Sequence, residues 1–256
     1  MRIIISPAKQ MRRLDEALQW QGLPALIDRA QEVLDWLRLL SYPEAKALWG
    51  TNDKLTLLNF ELLGEVDLRE GLTPAILAYD GIAYKYMAPS VFETGQFDYV
   101  QEHLRIISGF YGILRPLDGV VPYRLEMQAK AHVGGARDLY EYWGSALYDE
   151  LLRDDGSRTV VNLASKEYSK AIEAHLKPDD MFLTCTFAEE QGGKLVQKGV
   201  YCKMARGEMV RYMAERGIEE LEELKGFDRL GYAFAPELSS VDEYVFLSDP
   251  KRKRLR

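Results

Sequence analysis

Three consecutive isoleucines, Ile3, Ile4 and Ile5, stop at Ser6-Pro7, and no other feature narrows the fold of this chain as much. β-Branched side chains favour extended backbone, so the run reads as a buried first strand with a turn at its carboxyl end. Lys9 then stands just past that strand end.

Downstream the periodicity changes. Across 26–40 apolar residues recur at Ile27, Ala30, Val33, Leu34, Leu37 and Leu40, the three-and-four spacing of an amphipathic helix. A second helix is predicted over 52–63, a buried strand over 74–79 (PAILAY), a turn at Asp80-Gly81 and a helix over 97–107. In 120–128, Tyr123, Leu125 and Met127 alternate with Arg124, Glu126 and Gln128, which predicts an extended piece with Arg124 and Glu126 on one face. A helix over 137–152 places Trp143 in its apolar stripe. The second half reads as richer in strands, at 159–163, 181–187, 199–204, 231–234 and 243–247, with helices over 165–175 and 205–216. No repeat or Pro/Ser-rich linker divides the chain. The expected fold is therefore α+β (mixed α/β), a single compact domain over 1–250 with a mixed sheet and several helices, followed by a basic tail, KRKRLR, at 251–256.

Composition excludes several functions. A chain of 256 residues, 47% of them hydrophobic, buries a sizeable core, and a net charge of -7 confines any nucleic-acid site to a local basic patch. No apolar run approaches the roughly 18 residues of a membrane span, and the start is too short in apolar residues for a signal peptide, so a cytoplasmic location is expected. Cys185 and Cys202 sit in alternating apolar stretches without a CxxC spacing and read as small core hydrophobes. His103, His132 and His175 are scattered outside any HExxH spacing, so neither a metal nor another cofactor is expected. Walker A, GxGxxG and G-x-S-x-G are absent. Glu126, preceded by Tyr123, is the best lone general-base candidate, but an ion pair that holds Arg124 is the simpler role. The chain reads as a binding protein rather than an enzyme.

Three segments suggest what is bound. The stretch 104–118, LRIISGFYGILRPLD, is similar to a helix-hairpin-helix, in which a Gly-containing hairpin at Gly109 and Gly112 offers backbone N–H groups to a duplex phosphate; a helix C-cap at Gly109 is the alternative. Arg115, Arg124, Lys203 and Arg206 fall near predicted element ends, where side chains converge, and Lys203 and Arg206 are three apart on a helix. In 160–170 a strand, a loop and a helix place Asn162, Ser165 and Lys166 at an anion-suited junction; alternatively Ser165 is an ordinary N-cap and Asn162 closes the turn. With Ser6 and Lys9 these define two strand ends that can face a common pocket.

ISPAK (5–9), LRIISGFYGILRPLD (104–118), PYRLEM (122–127), DLYEYWG (138–144), NLASKEY (162–168) and K-x-A-R-G-x-M-x-R (203–211) occur in order, and together the chain resembles the YaaA peroxide-stress family over nearly its whole length. Tyr86 and Glu208 depart from that family's pattern. The resemblance implies a mixed α/β fold with a basic cleft that binds double-stranded DNA largely without sequence preference. It also implies a role in surviving hydrogen peroxide by limiting free iron and the DNA damage it promotes. By matching positions, the hairpin is Ser108, Gly109, Phe110, Tyr111 and Gly112, and the cleft draws on Lys9, Arg115, Arg124, Lys166, Lys203 and Arg206. The competing expectation is an enzyme or binding protein for a small phosphorylated or nucleotide ligand held by Ser6, Lys9, Asn162 and Ser165. A closed pocket favours the small ligand and an open groove the duplex. A monomer is expected.

Overall fold

The structure, a computed structural model, describes residues 1–14 and 18–248. The basic tail at 251–256 lies outside the described residues. The isoleucine run belongs to β1 (Arg2–Ile5), buried at all four positions. Successive side chains of a strand point to opposite faces, so such a strand lies inside a sheet covered on both sides. The further strands are β2 (Thr73–Pro74), β3 (Leu104–Ser108), β4 (Gly112–Leu114), β5 (Gly119–Val120), β6 (Thr159–Leu163), β7 (Met181–Gln191), β8 (Lys194–Val196), β9 (Tyr232–Phe234) and β10 (Glu243–Ser248).

Parallel pairing sets β3 on one side of β1, with Ile3 opposite Leu104, and β6 on the other, with Ile4 opposite Asn162. It continues through β7 to β10, and antiparallel β4 and β9 close the two ends of the order β4-β3-β1-β6-β7-β10-β9. β8 pairs with the end of β7, which makes eight strands in one mixed sheet, and β2 with β5 form a separate pair.

The helices are α1 (Ile27–Arg38), α2 (Tyr42–Trp49), α3 (Asp53–Glu65), α4 (Ala75–Ala78), α5 (Ile82–Met87), α6 (Thr94–His103), α7 (Leu139–Trp143), α8 (Ala146–Leu151), α9 (Lys166–Glu173) and α10 (Gly199–Arg216). α1 buries Ala30, Val33, Leu34 and Leu37, the face its spacing predicts. A capping box between Ser41 and Glu44 starts α2, and Asn52 accepts the Leu55 N–H to start α3. α10 packs along α5 and also touches α6 and β7. One core cluster runs from β1 to β10 and through these helices.

Several segments fold otherwise than their patterns predict. Residues 74–79 are buried, but after Pro74 they coil into α4; a short apolar run does not by itself distinguish a buried helix from a strand. The strand predicted over 199–204 is the first turns of α10, which moves Cys202 into a helix. The helix predicted over 137–152 is two, α7 and α8, broken at Gly144, where φ is 51° and ψ -139°. Beyond Val120 no strand continues through 121–128, although Leu125 and Met127 are buried while Arg124 and Glu126 are half-buried.

The helix-hairpin-helix expectation is corrected by the same kind of observation. α6 ends at His103, and 104–114 form a strand–turn–strand hairpin because Ile106 and Ile107 sit in the sheet beside β1. Ser108, Gly109, Phe110, Tyr111 and Gly112 are all buried. The Phe110 and Tyr111 N–H groups donate to Ser108 Oγ at 3.1 and 2.9 Å, so none of this turn is offered to a phosphate.

Asp118, just beyond this hairpin, is buried, and its Oδ2 accepts the Arg115 N–H at 2.8 Å. Burial outweighs that bond and the nearby Arg115 and Arg105 guanidiniums, and pushes the carboxyl from its usual 3.8 to about 7. A folded-state value above the unfolded one gives stability that is complete below about pH 4 and lost as pH rises through about 7. The shift corresponds to on the order of 4 kcal/mol. Urea titrations from about pH 4 to about pH 8 are therefore expected to show a fall in stability that Asp118→Asn flattens. Equal slopes in the two proteins would remove Asp118 as the titrating group.

Candidate functional site

The connection after β1 leads to β3 on one side, whereas β6 is followed by α9 and then β7 on the other. Adjacent parallel strands whose connections depart in opposite directions leave a crevice beyond their carboxyl ends. Ser6 and Ser165 meet there. The Ser165 N–H donates to Ser6 Oγ at 2.8 Å, and the Ser6 hydroxyl donates to Ser165 Oγ at 3.2 Å. Ser165 makes no side-chain cap on its own helix, so the positive end of the α9 dipole borders the crevice uncapped.

The crevice holds a cavity of about 400 Å³. Its walls are the loop after β1, residues 80–85, residues 123–126, the start of α9, and Lys203 and Arg206 of α10. Two tyrosines fix these walls. Tyr84 donates to the Ser6 carbonyl at 3.1 Å, which pins the loop after β1. Ser108 Oγ accepts two backbone N–H groups and shares a hydrogen bond of 2.6 Å with Tyr123 Oη, which shares a second of 2.8 Å with Tyr79 Oη. The Tyr123 ring stacks on Phe110 with centroids 4.7 Å apart, and burial pushes its hydroxyl up to about 12. Tyr123 thus buttresses the cavity wall, hydrogen-bonded to both Ser108 and Tyr79.

Charge in the cavity is only partly compensated. Lys9 pairs with Glu126, and Lys85 with Asp80 at 3.3 Å. Arg124, Lys203 and Arg206 make no ion pair and no side-chain hydrogen bond among the described residues, and Arg206 Nε is buried without a partner. Burial lowers the Arg206 pKa, yet a guanidinium stays charged at neutral pH, so a desolvated cation without an acid lines the cavity. The remaining carboxylate in the wall is Glu167, which burial holds above the usual glutamate range and whose Oε1 accepts the Gln128 N–H at 3.2 Å.

Of the residues expected at the site, Ser6, Lys9, Tyr123, Arg124, Glu126, Ser165, Lys203 and Arg206 come together here. Lys166 does not: it points away, 78% exposed, and pairs with Glu173. Arg115 is also elsewhere, 3.7 Å from Asp154. Asn162 is buried and closes its turn, accepting the Ala164 N–H at 2.9 Å. Glu126 pairs with Lys9 and not with Arg124, because the chain turns without strand pairing after Val120. Tyr86 does not line the cavity, and Glu208 points to Arg229 at 2.9 Å. Sequence reasoning did not place Tyr84, Lys85, Glu167 and Tyr168 at the site; the turn at Asp80-Gly81 and the departure at Tyr86 were signals for the first two.

Cys185 and Cys202 are buried, and burial pushes the Cys185 thiol up to about 12 and raises that of Cys202, so both stay protonated at neutral pH. No cluster of three or more metal-binding side chains occurs among the described residues, and no helix there is long and apolar enough to cross a membrane.

Fold and cavity together define a mixed α/β protein with an anion-suited cleft where its parallel strands diverge. Comparison with known proteins gives the family: the chain belongs to the peroxide stress protein YaaA family, whose model matches residues 1–238. It is 56% identical over 246 residues to a UPF0246 protein of Agathobacter rectalis, covering 96% of this chain and 98% of the relative. Similar relatives, also UPF0246 proteins, occur in Lachnoclostridium phytofermentans, 52% identical over 256 residues and the full length of both chains, and in Pediococcus pentosaceus, 48% identical over 253 residues, covering 99% of this chain and all of the relative.

Proposed function

We propose that this peroxide-stress family member binds a small phosphorylated ligand in the cleft between β1 and β6. One observation carries the reading: Arg206, whose buried Nε has no partner among the described residues, shares a wall with Lys203 and Arg124, while Glu126 and Asp80 pair with Lys9 and Lys85 and Glu167 accepts a backbone N–H. Leaving a buried donor unsatisfied costs about 1–3 kcal/mol, which an anionic ligand recovers on binding. The cavity volume falls within the range of about 300–1,000 Å³ usual for small-molecule sites.

A second reading has its own support. Lys9 and Lys85 are 64% and 68% exposed at the cavity margin, with Lys203 exposed beside them, and a duplex laid across this rim meets three ammonium groups. In that reading the protein binds double-stranded DNA in the cytoplasm and limits iron-promoted oxidative damage to it.

One experiment separates the two. A phosphorylated ligand at about a hundred times its dissociation constant adds about 2.7 kcal/mol, which raises the melting temperature by several degrees. Arg206→Met is expected to abolish that rise, and Arg115→Ala, away from the cleft, to leave it intact. Flat melting curves across pyrophosphate, sugar phosphates and nucleotides would overturn the small-ligand reading. Salt-sensitive retention of a duplex that Arg206→Met leaves unchanged would favour the rim.

A further inference from the structure

The phosphate-binding reading leaves half of the cleft unexplained. A second chamber of about 820 Å³ opens beside the first, and Lys9, Arg124 and Glu126 belong to the walls of both. Its own lining is of different character: Trp36 and Leu40 from α1 and the segment after it, Leu48 and Trp49 from α2, and His132. The two walls are independent in sequence. One is made by strand ends and α10, the other by the first two helices and residues 128–132.

The chambers differ in the side chains they offer. The first offers hydroxyls, a helix N-terminus, and Lys203 and Arg206, which pair with no acid among the described residues; the second offers two indoles, an imidazole and aliphatic side chains, with Glu44, Gln128 and Lys130 also in its wall. Arg124, unpaired among the described residues, stands at the junction. An indole binds the π-face of a flat heteroaromatic ring, and such stacking is worth about 1–3 kcal/mol per base. Trp49 adds a second feature: its Nε1 is buried and has no hydrogen-bond acceptor among the described residues, and a purine or pyrimidine carries both acceptors and a flat aromatic ring, whereas a sugar phosphate or inorganic ion has no aromatic ring to present. From these observations we infer that the ligand is a nucleotide, with its phosphates against Ser6, Ser165 and Arg206 and its base in the Trp36–Trp49 chamber. Arg124 then lies between, beside the ribose and the inner phosphate. This assignment rests on the phosphate-binding reading and names its ligand class.

Isothermal titration of the full chain with ATP, ADP, sodium pyrophosphate and adenosine tests it. ATP or ADP is expected to bind at least tenfold more tightly than pyrophosphate and than adenosine. Trp36→Ala is expected to bring nucleotide affinity down to that of pyrophosphate while leaving pyrophosphate binding unchanged. Should Trp36→Ala fail to fold, the exposed His132→Ala is expected to weaken nucleotide and not pyrophosphate. If nucleotide and pyrophosphate bind equally and Arg206→Met removes both, the base chamber is unused and the nucleotide assignment falls while the phosphate site stands. If neither binds, both readings fall together.

Discussion

Gly207→Ala is expected to destabilise the protein by about 3 kcal/mol and to remove ligand stabilisation with it. Gly207 lies in α10 against the backbone of α5, and a Cβ there would stand 2.7 Å from the Ala83 carbonyl carbon and 3.0 Å from its Cα. Both neighbours are backbone, so no side-chain rotation relieves the contact and the helices must separate. α5 and α10 carry Tyr84, Lys203 and Arg206, so the same displacement opens the cavity wall. Urea unfolding measures the first effect and the ligand-dependent melting shift the second. An alanine variant with unchanged stability would show that the two helices do not approach as closely as this packing requires.

Trp143→Ala is expected to cost about 3–5 kcal/mol, the range for deleting a buried large aromatic. The indole is 1% exposed, and its Nε1 donates to the Gly109 carbonyl at 3.0 Å. Its ring lies under the β3–β4 turn so closely that a Cβ on Gly112 would meet Cζ3 at 2.9 Å. Truncation therefore leaves a cavity and an unpaired carbonyl beneath the turn that holds Ser108, hence Tyr123, hence the floor of the cleft. Trp143→Phe, which keeps most of the volume, should lose much less stability in the same thermal or urea unfolding. Equal losses for the two would locate the energy in the hydrogen bond rather than in packing.

Where a local pattern had one solution, it was legible. The isoleucine run, the α1 stripe and the apolar place of Trp143 each follow from the chemistry of adjacent or helically spaced side chains. The pairing of Ser6 with Ser165 was legible in part, because a strand ending in a serine turn marks an anion-suited junction wherever it occurs. The hairpin at 104–114 was not. Glycines in an apolar stretch fit a helix hairpin and a strand hairpin alike, and the decision came from Leu104 and Ile106 finding β1, roughly a hundred residues away in sequence.

The sequence alone determined that a first strand would be buried, that α1 would present one apolar face, and that its sulfur and imidazole groups offered no metal spacing. These depend on neighbours a few residues apart. Only the tertiary structure decided which cations share a cavity: it took Lys166 and Arg115 out of the cleft, gave Glu126 to Lys9, and buried the Arg206 Nε without a partner among the described residues. The physical reason is that Coulomb attraction and desolvation depend on distance and burial in space, and residues 9, 124 and 206 become neighbours only after the parallel sheet has set where β1 and β6 end.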